Sequence, residues 1–283
     1  NKNPVALLTQ MAEGTKKCIE ECGIEKENIV FVGIGVPGLI KGPKGPVILA
    51  ANINWHNVDA VPFLEEKIGL PVYLGNDADC AAMGEYHSGS GKQYQSLIMI
   101  TLGTGVGSGI VIDGNVVYGH DGFAGELGHV IVKRNNGRLC GCGRTGCLEA
   151  YCSATGVART ARELLETTDK KSVLRNIPAE SITSKDVFEA AQQGDELAID
   201  IFDFTGTMLG EAMADFVAFS SPEAIIMFGG LTKAGDLIMN PVVKALNENV
   251  MPQWRGKIDV MFSQLNESDA AILGASALAW EVK

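Results

Sequence analysis

The segment from Gly125 to Glu149 constrains the chain more than any other, because it concentrates metal-binding side chains within 25 residues. Three cysteines follow a Cys-x-Cys-x4-Cys pattern, and a histidine lies eleven residues before the first of them. Zinc prefers thiolate and imidazole donors in a tetrahedron, and three cysteines with one histidine form a closed structural set. We therefore predict a structural Zn2+ site made of His129, Cys140, Cys142 and Cys147.

The same cysteines could instead be free thiols or form disulfide bonds. The chain has seven cysteines, an odd number, and its first residues do not follow the charged-then-apolar pattern of a secretion signal. Disulfides are rare in reducing compartments, where closely spaced cysteines more often bind metal. We therefore favour the metal, and we expect a cytoplasmic protein.

Two acidic residues, Glu126 and Glu149, flank the predicted zinc ligands. Carboxylates that lie beside a loop fixed by a metal ion suggest a preformed site for a polar ligand. Taken alone, each glutamate is more typical of a solvated surface charge.

Apolar runs alternate with helical patterns along the whole chain. Buried strands are predicted at 29–34, 71–75, 95–102, 223–228 and 258–262. This alternation predicts an α/β fold, since strands separated by helices form parallel sheets.

A loop rich in glycine and serine at 88–92 suggests a domain boundary. We predict an N-terminal α/β lobe at 1–94, completed by a C-terminal helix at about 269–283. The remaining lobe, 95–268, would contain the zinc-binding segment 129–147.

The net charge of −11 argues against a nucleic-acid surface, whose usual footprint is basic. The chain also lacks an unbroken apolar run near the ~20 residues that a membrane-spanning helix needs. We therefore expect neither a nucleic-acid partner nor a membrane partner.

Polar or glycine-rich turns follow three of the predicted strands, at Gly35–Gly38, Asn76–Asp77 and Gly103–Gly109. In open α/β sheets, ligands bind beyond the carboxyl ends of the strands. The third turn could bring backbone N–H groups to phosphate oxygens, with the Thr104 hydroxyl as a further donor. A hairpin with glycine turns would explain the same residues equally well.

Two further features have a functional and a structural interpretation. Asp77 could accept a proton from a substrate hydroxyl, or it could simply be the N-cap of the helix that follows. Gly229–Gly230 could let the backbone approach a nucleotide base or ribose, or could only turn the chain.

Taken together, the motifs resemble the ROK family of sugar kinases and related repressors, over nearly all 283 residues. The resemblance rests on GIGVPGLI (33–40), GNDADCAA (75–82), TLGTGVGSGI (101–110), GELGH (125–129), CGCGRTGCLE (140–149) and FGG (228–230). Bacterial glucokinases are the most similar members. The resemblance implies a two-lobed actin/hexokinase-like (ribonuclease H-like) ATPase fold.

The resemblance also implies roles for individual residues. Asp77 would be the general base on the 6-hydroxyl of glucose or a related hexose. His129 would serve both the zinc and the sugar. ATP with Mg2+ would be the phosphate donor, and a homodimer is expected. The implied sugar-binding residues are Gly38, Asn52, Asn76, Asp77, Glu126, His129 and Glu149, and the nucleotide-binding residues are Gly103, Thr104, Gly105, Gly229 and Gly230.

Two alternatives stay open at this stage. The substrate could be another hexose, such as N-acetylglucosamine, N-acetylmannosamine or fructose, or the chain could be the sugar-sensing core of a ROK repressor. Kinases of the family begin with a strand and an Asp-x-Gly-Gly-Thr phosphate loop, a motif not found in the printed sequence. We expect that loop upstream of residue 1 in a kinase, and a helix-turn-helix there in a repressor.

Overall fold

The computed structural model describes residues 3–50 and 53–281. Its strands are β1 (Val32–Val36), β2 (Leu39–Ile40), β3 (Val47–Ala50), β4 (Trp55–Val58), β5 (Val72–Asn76), β6 (Leu97–Leu102), β7 (Val106–Ile112), β8 (Asn115–Val116), β9 (Ala224–Phe228) and β10 (Asp259–Phe262). Its α-helices are α1 (Pro4–Cys22), α2 (Ala60–Ile68), α3 (Asp77–Ser88), α4 (Glu149–Cys152), α5 (Ala154–Thr167), α6 (Ser184–Gln192), α7 (Glu196–Ser220), α8 (Asp236–Asn249) and α9 (Glu267–Glu281).

The internal contacts divide the chain into two compact units. The first unit contains the residues up to Gln93, Gly109–Gly125 and the residues from Gln264 onward. The second unit contains Tyr94–Ser108 and Glu126–Ser263. The sequence prediction assigned residues 109–125 to the C-terminal lobe. In the structure this segment makes its contacts within the first unit, and the boundary between the units falls inside β7.

In the first unit, β1 and β5 pair in parallel, with Val36 opposite Asn76. Both strands therefore end at the same edge, where the residues that follow them can meet. Helix α9 packs on α3 so closely that a Cβ atom on Gly274 would lie 1.4 Å from the carbonyl oxygen of Cys80. The crossing of these two helices therefore requires glycine at position 274.

In the second unit, β9 pairs in parallel with β10 on one side and with β6 on the other. Thr101 lies opposite Phe228, so the turns after β6 and β9 start side by side. The long helix α7 packs on α8 and, with the strands, encloses a core that includes the fully buried Phe202 and Leu209.

The predicted α/β class is confirmed, and each predicted strand is present with bounds that differ by one to three residues. The apolar run at 29–34 becomes a strand only from Val32, because the amide of Ile29 still closes a 3₁₀ turn onto Lys26. The glycine-rich turn after β6 is only three residues long, since β7 already begins at Val106. Among the described residues, we find no helix that is both long and apolar enough to span a bilayer.

Candidate functional site

Asn76, at the end of β5, is the N-cap of α3. Its side-chain oxygen accepts hydrogen bonds from the amides of Ala78 at 2.8 Å and Asp79 at 3.3 Å. The alternative that Asp77 is the cap is therefore wrong, because Asp77 is the first residue of the helix itself. Its carboxylate is not needed for capping.

The Asp77 carboxylate has unusual surroundings for an aspartate. One of its oxygens accepts a hydrogen bond of 3.0 Å from the amide of Ala78, and the other has no partner among the described residues. The residue keeps part of its surface open to solvent, yet burial of the carboxyl raises the pKa of Asp77, against the lowering effect of the Ala78 amide. A carboxylate with a raised pKa and a free oxygen is suited to accept a proton.

Gly38 lies beside Asn76 at the same edge of the first unit. The Asn76 amide nitrogen donates a 2.8 Å hydrogen bond to the Gly38 carbonyl oxygen. Gly38 has a φ of 98°, and a Cβ atom there would lie 2.1 Å from the carbonyl oxygen of Leu49. Only glycine fits this position. Asn52, the other predicted sugar-binding residue of this region, lies outside the described residues.

The structure brings the four predicted zinc ligands of the second unit together. Their donor atoms all lie within 4.8 Å of one another. The Sγ atoms of Cys142 and Cys147 are 3.6 Å apart, and Cys140 Sγ is 3.7 Å from His129 Nδ1. In a tetrahedron with zinc–sulfur bonds of 2.3 Å, two sulfur atoms would lie about 3.8 Å apart. The spacing of the cluster therefore fits a zinc ion.

The backbone around the cluster is folded tightly by local hydrogen bonds. The Cys140 amide donates to the Arg144 carbonyl at 2.8 Å, and the Arg144 guanidinium donates to the His129 carbonyl. Burial raises the pKa of Cys140 to about 12. At neutral pH this thiol would therefore need a cation beside it to ionise, as metal ligands do.

The three polar residues predicted around the cluster have separate environments. His129 directs Nε2 toward Glu126, with 3.8 Å to its carboxylate oxygen. These two residues line a cavity of about 570 Å³ together with Arg134 and Arg144. Glu149 is not among the residues that line it. Its carboxylate accepts from Cys140 Sγ at 3.4 Å and from the Val106 amide at 3.0 Å.

The turn after β6 is held by the chain that follows the cluster. The Ala154 amide donates to the Gly103 carbonyl at 2.8 Å, and the Thr155 hydroxyl donates to the Thr104 carbonyl at 2.9 Å. The amides of Thr104 and Gly105 make no hydrogen bond within the described residues. The turn therefore presents two free N–H donors, as a phosphate-binding turn requires.

A cavity of about 520 Å³ adjoins this turn. Of the predicted nucleotide-binding residues, Gly103, Thr104 and Gly230 line it, whereas Gly105 and Gly229 do not. Gly229 has a φ of 105° and packs against the Leu102 carbonyl, at 2.8 Å from where its Cβ would be. The close approach of β9 and β6 therefore explains why position 229 is a glycine.

Sequence reasoning missed several residues that line these cavities. In the cavity beside the turn they are Phe188, Glu189 and Gln192 of α6, and Lys233. Beside the cluster they are Arg134 and Arg144. On a helix, a polar side chain that lines a cavity has the same spacing as one that faces water, so the pattern of α6 carried no signal.

The chain is similar to known proteins over most of its length. The model of the ROK family matches residues 6–282. A glucokinase from Halalkalibacterium halodurans is 36% identical over 98% of this chain and 83% of its own length.

Two solved structures are similar over most of the chain. One is a ROK family glucokinase from Streptomyces griseus in complex with glucose and AMPPNP, with a TM-score of 0.80 and 33% identity over 96% of this chain and 88% of that one. The other is a ROK family transcriptional regulator, a homolog of Escherichia coli MLC, with a TM-score of 0.84 and 26% identity over 96% of this chain and 68% of that one. The predicted actin/hexokinase-like fold is confirmed.

Proposed function

The chain belongs to the ROK family, and on that premise we propose that it is an ATP-dependent glucokinase that transfers the γ-phosphoryl group of ATP to the 6-hydroxyl of glucose. The solved relative that holds both glucose and a nucleotide supports this choice of substrates. So does the glucokinase relative, at 36% identity over nearly the whole chain.

The observation that carries the proposal is the environment of the Asp77 carboxylate. Because Asn76 caps α3, the Asp77 carboxylate is not needed as the cap and keeps one oxygen free. Burial of this carboxyl raises its pKa. Phosphoryl transfer needs a group that orients the attacking hydroxyl and takes its proton. In the proposed reaction, the oxygen of the glucose 6-hydroxyl attacks the γ-phosphorus, the bond from that phosphorus to the bridging oxygen breaks and ADP leaves, and the free oxygen of Asp77 accepts the hydroxyl proton.

The turn after β6 suits the nucleotide. The free amides of Thr104 and Gly105 would bind phosphate oxygens, and the adjoining cavity would accept the adenosine against Phe188 and Gly230. Gly103 lines this cavity directly, whereas Gly229 would act indirectly, by allowing the chain after β9 to approach β6 closely. Mg2+ would enter with ATP and neutralise charge on the phosphates.

Polar side chains and backbone groups would bind the sugar hydroxyls. In the first unit, Gly38 and Asn76 form one hydrogen-bonded pair, and Asn76 keeps one amide hydrogen for a sugar oxygen. In the second unit, Glu126, His129 and Glu149 would accept or donate hydrogen bonds to other hydroxyls. A bound sugar that lacks the matching hydroxyl would cover these carboxylates and leave them without a partner, which gives selectivity.

The Cys/His cluster would hold a structural Zn2+. His129 Nδ1 faces Cys140 and would bind the ion, whereas Nε2 faces Glu126 and stays available for the sugar. With three thiolates and one imidazole the ion has no open position, so its contribution is to fix the loop. We assign it no step in the reaction.

A coupled assay of ADP release with ATP, Mg2+ and a panel of hexoses tests the proposal. Turnover with a clear preference for glucose is expected. Turnover with N-acetylglucosamine, N-acetylmannosamine or fructose alone would replace the substrate but keep the chemistry. Sugar binding without turnover on any hexose would contradict the kinase and favour the sensor core of a repressor, to which the similarity with the transcriptional regulator points.

Two further parts of the proposal concern the protein in the cell. We propose a homodimer, which light scattering at enzyme concentrations checks as a mass of about twice the 30.0 kDa of this chain or more. We propose a cytoplasmic location, which fractionation of the native host checks.

A further inference from the structure

The second unit contains a larger cavity that the proposed reaction does not use. It has a volume of about 800 Å³ and shares none of its lining residues with the cavity beside the turn or with the one beside the cluster. Two helices supply half of its fourteen lining residues, and on each helix these residues recur three or four positions apart, so each presents one face to the cavity. They are Arg159, Thr160, Glu163 and Leu164 of α5, and Leu197, Asp200 and Phe204 of α7.

The charge of this cavity is opposite to that of the chain. Four cationic side chains line it against two carboxylates, an excess of two positive charges in a chain of net charge −11. The four cations are Lys133, Arg138, Arg159 and Lys170. A cavity of this sign attracts anions from solution.

The two carboxylates do not neutralise the cations. Asp200 pairs with Lys170 at 2.5 Å. Glu163 accepts from both Arg138 at 2.6 Å and Arg159 at 2.9 Å, so a single carboxylate serves two guanidinium groups. Lys133 forms no ion pair with any described residue.

The remaining wall is apolar and partly open to water. Phe204 has 37% of its surface exposed, and its ring centroid lies 6.4 Å from that of Tyr151. Leu164 and the buried Leu197 line the same cavity. A ligand with an apolar body would remove the Phe204 ring from water, which favours binding.

From this combination we propose that the cavity is a binding site for a small organic anion, one that carries a carboxylate or phosphate on an apolar body. Lys133 and Arg159 would supply the charge-assisted contacts, and Phe204 and Leu197 would contact the apolar body. The cavity also borders the zinc-binding loop, since Arg159 donates to the Leu139 carbonyl at 3.3 Å. An occupant would therefore contact the segment that carries Arg138 and leads into Cys140.

Calorimetric titration of the full-length protein with phenyl phosphate tests the site. The titration is done with glucose and an excess of AMPPNP present, so that a nucleotide pocket is not available to the probe. Binding is expected to saturate at one site per chain, more weakly for inorganic phosphate and for phenol, because each lacks one half of the recognised chemistry. The absence of saturable binding of phenyl phosphate would overturn the proposal.

Three variants locate the binding. Lys133→Ala and Phe204→Ala change exposed side chains, and each should weaken phenyl phosphate binding about tenfold, the effect of losing one charged contact or one ring. Lys171→Ala removes an exposed lysine that does not line the cavity and should leave binding unchanged. Equal affinity of all three variants and the wild type would overturn the proposal, and the melting temperature of each shows that it is folded.

Discussion

Asn76 is the N-cap of the helix that begins at Asp77. Because Asn76 supplies the capping oxygen, the Asp77 carboxylate at the end of β5 is not needed for capping. The Asn76 side chain accepts from the amides at the second and third helical positions, as an N-cap does. Among the described residues, the Asp77 carboxylate then interacts only with the backbone amides of Ala78 and of Asp77 itself.

Replacing Asp77 with asparagine should therefore abolish proton acceptance without disturbing the helix. We expect Asp77→Asn to keep the melting temperature and glucose affinity close to those of the wild type and to lower kcat at least ~100-fold, the low end for loss of a general base. A coupled assay of ADP release measures kcat, and calorimetric titration measures glucose affinity. A variant that turns over at nearly the normal rate would exclude Asp77 from the reaction.

We expect the raised pKa of Asp77 to determine how turnover depends on pH. Burial disfavours the charged carboxylate, so the proton stays bound up to a higher pH than on an ordinary aspartate. The base works only when deprotonated, so kcat should rise with pH through this pKa, above the usual value of about 3.9. Rates measured from pH 4 upward, with circular dichroism to monitor folding, test this, and the residual rate of Asp77→Asn should lack the same acid limb. An acid limb at or below the usual value would contradict it.

The role of Asn76 shows what sequence could and could not predict. The strand at 71–75, the polar turn at its end and the helix that follows were predicted from the sequence. Which of two adjacent polar residues caps the helix depends on the backbone, and Asn76 has the extended φ of −61° and ψ of 143° of a cap. Sequence does not specify those angles, because both asparagine and aspartate favour caps.

The Cys/His cluster could be predicted from the sequence, whereas the residues that line the cavities could not. His129, Cys140, Cys142 and Cys147 lie within one short segment, so their spacing alone predicted that they meet. Phe188 and Gln192 reach the turn after β6 from a distant helix, through the packing of the second unit. Contacts of that kind depend on tertiary structure, and no local sequence pattern predicts them.

The two hydrogen bonds of Asn76 can be separated by substitution. Asn76→Asp keeps an oxygen for the cap but loses the N–H that holds the Gly38 carbonyl, whereas Asn76→Ala loses both. We expect Asn76→Ala to lower the free energy of unfolding by about 1 kcal/mol and Asn76→Asp to change it less. Both should raise the KM for glucose, about tenfold for the loss of one such contact. Assays at pH 8 keep both adjacent carboxyls ionised, and an unchanged KM in Asn76→Asp would remove Asn76 from sugar binding.

Loss of one thiolate should weaken metal binding and local folding together, because the ion is held only by the folded loop. We expect Cys142→Ser to contain well under one zinc per chain and to melt at a lower temperature than the wild type. Cys22→Ser, which changes an exposed cysteine outside the cluster, is the matched control and should retain both zinc and stability. Atomic absorption and calorimetry provide the two measurements. Full zinc content in Cys142→Ser would contradict the ligand set.

The hydroxyl of Thr155 holds the turn that we assign to the ATP phosphates. It donates to the Thr104 carbonyl at 2.9 Å, and Thr167 on the same helix makes an equivalent bond to the Glu163 carbonyl at 2.7 Å. Thr155→Val should raise the KM for ATP about fivefold, as expected from the loss of one hydrogen bond of ~1 kcal/mol, and leave the KM for glucose unchanged. Thr167→Val loses a similar bond far from the turn in sequence and should change neither constant. If the two variants shift the KM for ATP equally, the effect is general to α5, and Thr155 does not position the turn.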